Sequence, residues 1–300
     1  MITGTLQSSY VLTQAAHDAF VAISGDRNPV HTDAVYARRL LFGGLVVHGV
    51  HLVLRAMETY MEANPQPVSL LSLEARFLSS SQPDETVNIE IDASEEQSSG
   101  SPVEKVVCRL SGTDGRKLLK LRFHATTAIT VSSDLPEDDS PPKICMKVPA
   151  HAIASARGSL RLFLNAPLAH TLFPALCAQL PPEQLATVLA TTYLVGMRLP
   201  GYHSIFAGLS LCFSQPYIPR SELHYRTEDF SPERRFCRVG LSSPGARGHV
   251  DTFVRPEPAT QPGLKDIRKL LEPGIFKGQR ALVIGGSRGL GLYERIERHR

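Results

Sequence analysis

The chain has 300 residues, 42% of them apolar and 20% charged, with a formal net charge of +3 at pH 7. That composition suits one or two folded domains and excludes a disordered chain, and so small a charge calls for no broad basic face for nucleic acid. Cys108, Cys145, Cys177, Cys212 and Cys237 are scattered with no CxxC pair, which fits free thiols in a reducing compartment better than a disulfide framework or a zinc site. The opening MITGTLQSSYVL lacks a basic-then-apolar leader, and no apolar run nears the ~20 residues of a membrane span. A cytoplasmic protein with no membrane partner is expected.

Residues 5–13 alternate weakly and read as an edge strand. Gln14–Ser24 places Ala15, Ala16, Ala19, Phe20 and Ile23 at helical spacing and stops at Gly25. A loop, GDRNPVH, follows, in which Pro29 biases Asn28 away from helical angles. Thr32 or Asp33 can cap a helix over Ala34–Leu41. After Gly43-Gly44 comes a long apolar helix, about Val47–Glu62, ending before Asn64-Pro65. Strands are predicted at 69–78 and 86–93, then a hairpin over 103–129 that turns at Asp114-Gly115.

The acidic, Pro-rich stretch 132–143 reads as a linker. Beyond it the pattern returns. SLLSLEARFLSSSQP at 69–83 lies over SIFAGLSLCFSQPYIP at 204–219, with Phe77 on Phe213, and a helix over Glu183–Arg198 precedes the second run. An internal duplication is the expectation. The second copy has no counterpart of GDRNPVH or of HGVH, so it keeps the scaffold without the polar site. The expected divisions are 1–131, a linker at 132–143, a degenerate copy at 144–257, a second linker at 258–273, and 274–300.

Asp26 and His31, five apart and bent by Pro29, can reach the same water-sized gap. Such a pair can activate a water and return a proton to the neighbouring carbon. Histidine suits this because its charge changes near neutral pH, and a part-buried aspartate can be tuned towards it. An enolate oxygen formed alongside would need a donor. The helix start at VVHGVH offers unpaired N–H groups and the positive dipole end, and Gly49 lets a carbonyl come close. The same residue types also make an ordinary helix stop, turn and cap. His31, His48 and His51 could instead be read as a metal set, though His48 at the helix start and His51 lining the pocket is preferred, with no metal.

At these residues, FVAISGDRNPVHTD followed by FGGLVVHGV, the chain resembles the MaoC-like (R)-specific enoyl-CoA hydratases/dehydratases of hot-dog fold. The resemblance spans about residues 5–130. It implies an α+β, double hot-dog architecture, with antiparallel sheets each wrapped around a long central helix. It places Asp26 and His31 on the catalytic acid/base pair, and Asn28 and Pro29 where the catalytic loop is shaped. Gly49 falls where the thioester carbonyl is bound, with His48 and Asn28 beside it as the expected substrate-binding set. The implied reaction is reversible hydration of a trans-2-enoyl thioester, on coenzyme A or an acyl carrier protein, to the (R)-3-hydroxyacyl thioester. No cofactor is implied, and a homodimer is possible. Arg38, Arg39 and Arg55 are nearby charges with no assigned contact. The active copy comes first here, a departure from the eukaryotic arrangement. The rival expectations are a hot-dog thioesterase and a non-catalytic acyl-thioester-binding module.

ALVIGGSRGLG at 281–291 resembles the opening of short-chain dehydrogenases/reductases, a strand entering GxxxGxG at Gly285, Gly289 and Gly291. In that family Ser287 and Arg288 would favour NADP. The sequence ends nine residues later, so this Rossmann-like fragment is an incomplete, vestigial cofactor site. NADP is expected only with a reductase domain that these residues would begin. A hydratase module fused to a ketoacyl-type reductase is the organisation expected.

Overall fold

The computed structural model describes residues 4–97, 102–127, 135, 141–214, 222–256, 264–269, 272, 274, 275 and 277–280. The chain divides into a unit of residues 1–255 and a unit of residues 256–300. In the second, one short helix, Leu264–Arg268, is followed by turns with left-handed glycines at Gly274 and Gly278. Gly285, Gly289 and Gly291 lie outside the described residues. No helix among the described residues is long and apolar enough to cross a membrane.

The first unit is built on ten strands: β1 (Gly4–Val11), β2 (Val68–Phe77), β3 (Thr86–Gln97), β4 (Pro102–Gly112), β5 (Lys117–Thr127), β6 (Arg157–Arg161), β7 (Ser204–Phe213), β8 (Glu222–Ser231), β9 (Phe236–Ser242) and β10 (Ala246–Val254). Their order is β1-β3-β4-β5-β2-β7-β10-β9-β8-β6, antiparallel at every pairing. Read from its centre outwards, each strand of the second half holds the place of its counterpart in the first. β2 and β7 are both ten residues long and both close on phenylalanine, as the overlay of Phe77 on Phe213 expects. The expectation of two sheets is corrected. β2 and β7 pair from Ser72↔Cys212 to Arg76↔Gly208, because each would otherwise present an unpaired backbone edge. The two halves therefore share one sheet and one compact unit rather than standing as separable domains.

Two long helices run along this sheet. Thr13 caps α1 (Gln14–Ser24) by accepting from the Ala16 N–H, and Gly25 ends it at φ +67°. GDRNPVH, read as open loop, instead closes into a helical turn, α2 (Pro29–Thr32). Asn28 Oδ1 accepts from the Val30 N–H, and Pro29 sits at the first helical position, where its missing N–H costs nothing. Asp33 accepts from Val35 and Tyr36 N–H groups to start α3 (Ala34–Arg38), which stops three residues short of Leu41. The central helix of the first half, α4 (Gly49–Ala63), is buried on nearly all sides, as sheet and helices both cover it.

In the second half α5 (Ala150–Ile153), α6 (Ala166–Leu172) and α7 (Pro174–Gln179) lead to the buried α8 (Pro182–Tyr193). The helix expected to run unbroken to Arg198 changes to a π-helical turn over Leu194–Arg198. Such turns occur often where a protein needs a local irregularity for function.

Polar side chains tie the halves together. Glu58 of α4 accepts from the Ala175 and Leu176 N–H groups at the start of α7, at 2.9 and 2.7 Å. Gln184 of α8 reaches a register shift in β2 between Leu70 and Ser72. It accepts from the Leu70 N–H at 2.8 Å and donates to the Leu70 carbonyl at 3.0 Å and to Ser69 Oγ at 3.1 Å. Gln184→Ala would leave those buried groups short of partners, a loss of about 2–3 kcal/mol. Thermal unfolding should shift down by roughly 4–12 °C at this chain size.

Candidate active site

The polar site grows from the residues after α1. Ser24 Oγ donates to the Phe20 carbonyl at 2.7 Å and accepts from the Asp26 N–H. Gly25 turns left-handed, and a Cβ there would strike Pro141, Phe163 and Tyr193. Asp26 then enters the interior at 1% exposure. Its Oδ1 accepts from the Asn28 N–H at 3.1 Å and its Oδ2 from Thr192 Oγ1 at 2.8 Å. Gly196, in the π-helical turn, lies so close that a Cβ there would collide with the carboxylate.

His31 faces Asp26 from α2. Its Nδ1 lies 2.6 Å from the Val46 carbonyl. A carbonyl only accepts, so Nδ1 carries the proton and Nε2 keeps a lone pair. That Nε2 is 3.9 Å from Asp26 Oδ2, a gap that one water can bridge. His48 stacks on His31 with ring centres 3.6 Å apart. Its Nε2 donates to the Asp26 carbonyl at 3.1 Å and lies 3.6 Å from Oδ2.

Burial dominates the electrostatics here. It lifts the Asp26 carboxyl to about 7 against the opposing bonds from Thr192 and the Asn28 N–H. It pushes His31 and His51 down to about 3, and His48 well below its usual value. Near neutral pH the imidazoles are uncharged while burial favours the protonated form of the carboxyl, so one group can accept a proton and the other can supply one.

The pair borders a cavity of about 210 Å³ whose wall is mainly apolar, including Val30, Leu52, Phe77, Val195 and Phe206. Gly49 lines it at the start of α4. A Cβ on Gly49 would fall 2.6 Å from the Phe77 ring, so glycine is needed for that packing as well as for backbone access. Helix-start N–H groups beside an apolar hollow suit a developing oxyanion.

The structure brings Asp26, His31 and Gly49 to one cavity, but not the other expected residues. Asn28 is corrected from the substrate-binding set. It is fully buried, and its Nδ2 donates to the Gly196 and Gly201 carbonyls at 2.9 and 3.1 Å. His48 is corrected likewise, being fully buried behind His31 and bonded to main chain. His51 does not line the pocket. It stacks on Phe20 at 4.6 Å and meets the edge of Phe173. Asp26, His31 and His48 place ligand atoms within 4.8 Å of one another. His48 Nε2 is committed to a carbonyl, however, which takes one of the three donor atoms, so the set suits proton transfer better than metal ligation.

Thr192 and Gly196 went unread in the sequence, because the second copy lacks the polar motif. The duplication held the signal. Thr192 stands as far ahead of β7 as Ala56 stands ahead of β2, and Gly196 holds the place of Tyr60.

Residues 4–113 match the family model of the MaoC like domain. No curated protein matches the chain in sequence. Three solved structures resemble the greater part of the chain. A MaoC-like dehydratase is 14% identical at TM-score 0.58, over 85% of this chain and 98% of its own. A MaoC domain dehydratase from Chloroflexus aurantiacus J-10-fl is 10% identical at TM-score 0.60, over 85% and 96%. A Mycobacterium tuberculosis protein described as having a double hotdog fold is 14% identical at TM-score 0.56, over 84% and 95%. Residues 4–113 are thus similar to a MaoC-like domain, and the chain has the double hot-dog fold.

The shifted groups set opposite pH trends. Asp26 holds a proton in the folded chain between about pH 4 and 7 that the unfolded chain lacks, so its contribution falls as pH rises through that window. His31 and His51 bind their protons only near pH 3 when folded but near 6.5 when unfolded, so their contributions fall as pH drops below 6.5. Asp26→Asn removes a buried charge, and the variant should unfold at higher temperature than the parent above pH 7. That advantage should shrink as pH falls towards 4, as followed by calorimetry.

Proposed function

We propose that this chain adds water reversibly across trans-2-enoyl thioesters, giving 3-hydroxyacyl thioesters. The observation that carries the reading is the bare Nε2 of His31 facing the buried Asp26 carboxyl at 3.9 Å beside an apolar cavity. In this reading a water lies between them. His31 Nε2 takes its proton as the oxygen bonds to C3 of the substrate, and protonated Asp26 delivers a proton to C2. The negative charge passing through the thioester oxygen is held by N–H groups at the start of α4, beside Gly49. The imidazolium then returns its proton to the Asp26 carboxylate, and both groups are restored. Dehydration is the same path reversed. Every proton moved belongs to water, substrate or one of these side chains, so the reaction draws on no cofactor. The (R) configuration and the carrier, coenzyme A or an acyl carrier protein, rest on the motif from Ser24 to His31.

The test is the loss of enoyl absorbance when the full chain meets trans-2-butenoyl-CoA. Asp26→Asn and His31→Ala should each lower kcat by about 10²–10⁴-fold. Turnover that survives both changes would exclude the assignment. Release of free thiol in place of hydration would identify a thioesterase. Gly196→Ala displaces the Asp26 carboxylate at the cavity wall and should cost roughly 100-fold in kcat.

A further inference from the structure

The cavity mouth carries features that catalysis does not use. Leu78 borders the catalytic cavity and also a shallow hollow on the outer face of the sheet, and it is 54% exposed. Opposite it, Phe42 lines the cavity and is tied to the 78–82 segment by a bond from Gln82 Nε2 to its carbonyl. Leu41, next in the chain, is 81% exposed. Leu78 thus stands in solvent at the entrance, with Leu41 exposed one residue from the cavity-lining Phe42, and such apolar exposure marks a contact surface.

Cations lie beside each leucine, in the chain for Leu41 and around the shared hollow for Leu78. Arg38 and Arg39 precede Leu41 and are exposed. Arg76 and Lys120 are cross-strand neighbours on the outer face of the sheet, turned away from the side on which Phe77 meets the cavity, and Lys117 and Lys120 border the hollow that Leu78 shares. No carboxylate among the described residues pairs with any of these five. The nearby acids already have arginines: Glu74 has Arg122, Glu85 and Asp114 have Arg116, and Glu90 has Arg109. Arg55 is not part of the group, since it pairs with Glu62 and lies over the Tyr10 ring.

We propose that this mouth docks an acidic carrier protein that presents the enoyl group on a phosphopantetheine arm. The inference rests on the proposed hydratase reading and deepens it. Phosphates of free coenzyme A would use the cations but not two leucines standing in water. A helical protein face with acids around an apolar centre covers both, and places the arm's thioester at the cavity.

The test compares trans-2-butenoyl groups on a type II acyl carrier protein, on coenzyme A and on N-acetylcysteamine. Leu41→Glu and a double charge reversal, Arg39→Glu with Lys120→Glu, are measured in the full chain. Both variants should lower kcat/KM for the carrier-linked substrate by about 10-fold or more through KM, and added salt should narrow the gap. The coenzyme A and N-acetylcysteamine substrates should change by less than about 2-fold. An equal loss on coenzyme A would assign the cations to its phosphates and overturn the proposal, as would no loss on any substrate. If the parent turns over none of the three, the hydratase reading fails by itself. Titration with holo carrier protein then decides the docking: salt-sensitive binding weakened by both variants supports it, and no binding refutes it.

Discussion

Placing a carboxylate in an apolar interior is costly, and the surroundings of Asp26 are what hold it there. One oxygen meets a main-chain N–H two residues on, the other meets a hydroxyl 166 positions later, and a glycine from a π-helical turn leaves room for both. Asn28 fastens the same turn by its carbonyls. The burial that raises the proton affinity of Asp26 also empties the imidazoles beside it. One constraint thus sets the protonation state of the whole cluster, and the rest of the fold exists around that constraint at a cost in stability.

The second half supplies what the first cannot. Its helix and π-helical turn form one wall of the cavity, through Thr192, Val195 and Gly196. The reciprocal position in the first half carries no such chemistry. Glu58 of the first half caps a short helix of the second with two hydrogen bonds, and Gln184 of the second half mends a break in the strand pairing of the first. Repetition is complete in strand order, and it ends at the polar side chains.

Much of this was legible from residue order. Strand alternation, the Gly25 stop and the Asp114-Gly115 turn have local causes, and the structure follows them within a few residues. The overlay of Phe77 on Phe213 marked the two strands that meet at the sheet centre. The motif placed Asp26 and His31 in one loop, where local bending brings them together. Other features have non-local causes. Asn28 turns inward because carbonyls from Gly196 and Gly201 wait there, and His51 is covered by Phe20 and Phe173. The joining of two sheets into one depends on backbone edges, which leave no mark in side-chain pattern. Thr192 reads as one more threonine in a buried helix until its distance from β7 is compared with that of Ala56 from β2.

The pairing of β2 with β7 within one chain has a consequence for variation. Were two identical chains to meet along this seam, any change would appear at both symmetry-related places, and a glycine suited to one would empty the core of the other. Here Tyr60 fills the first half, while glycine at the matching position of the second admits a carboxylate. Neither residue could serve in both roles. Covalent linkage frees each position to answer a single local demand, and it keeps the two contributors together at any dilution.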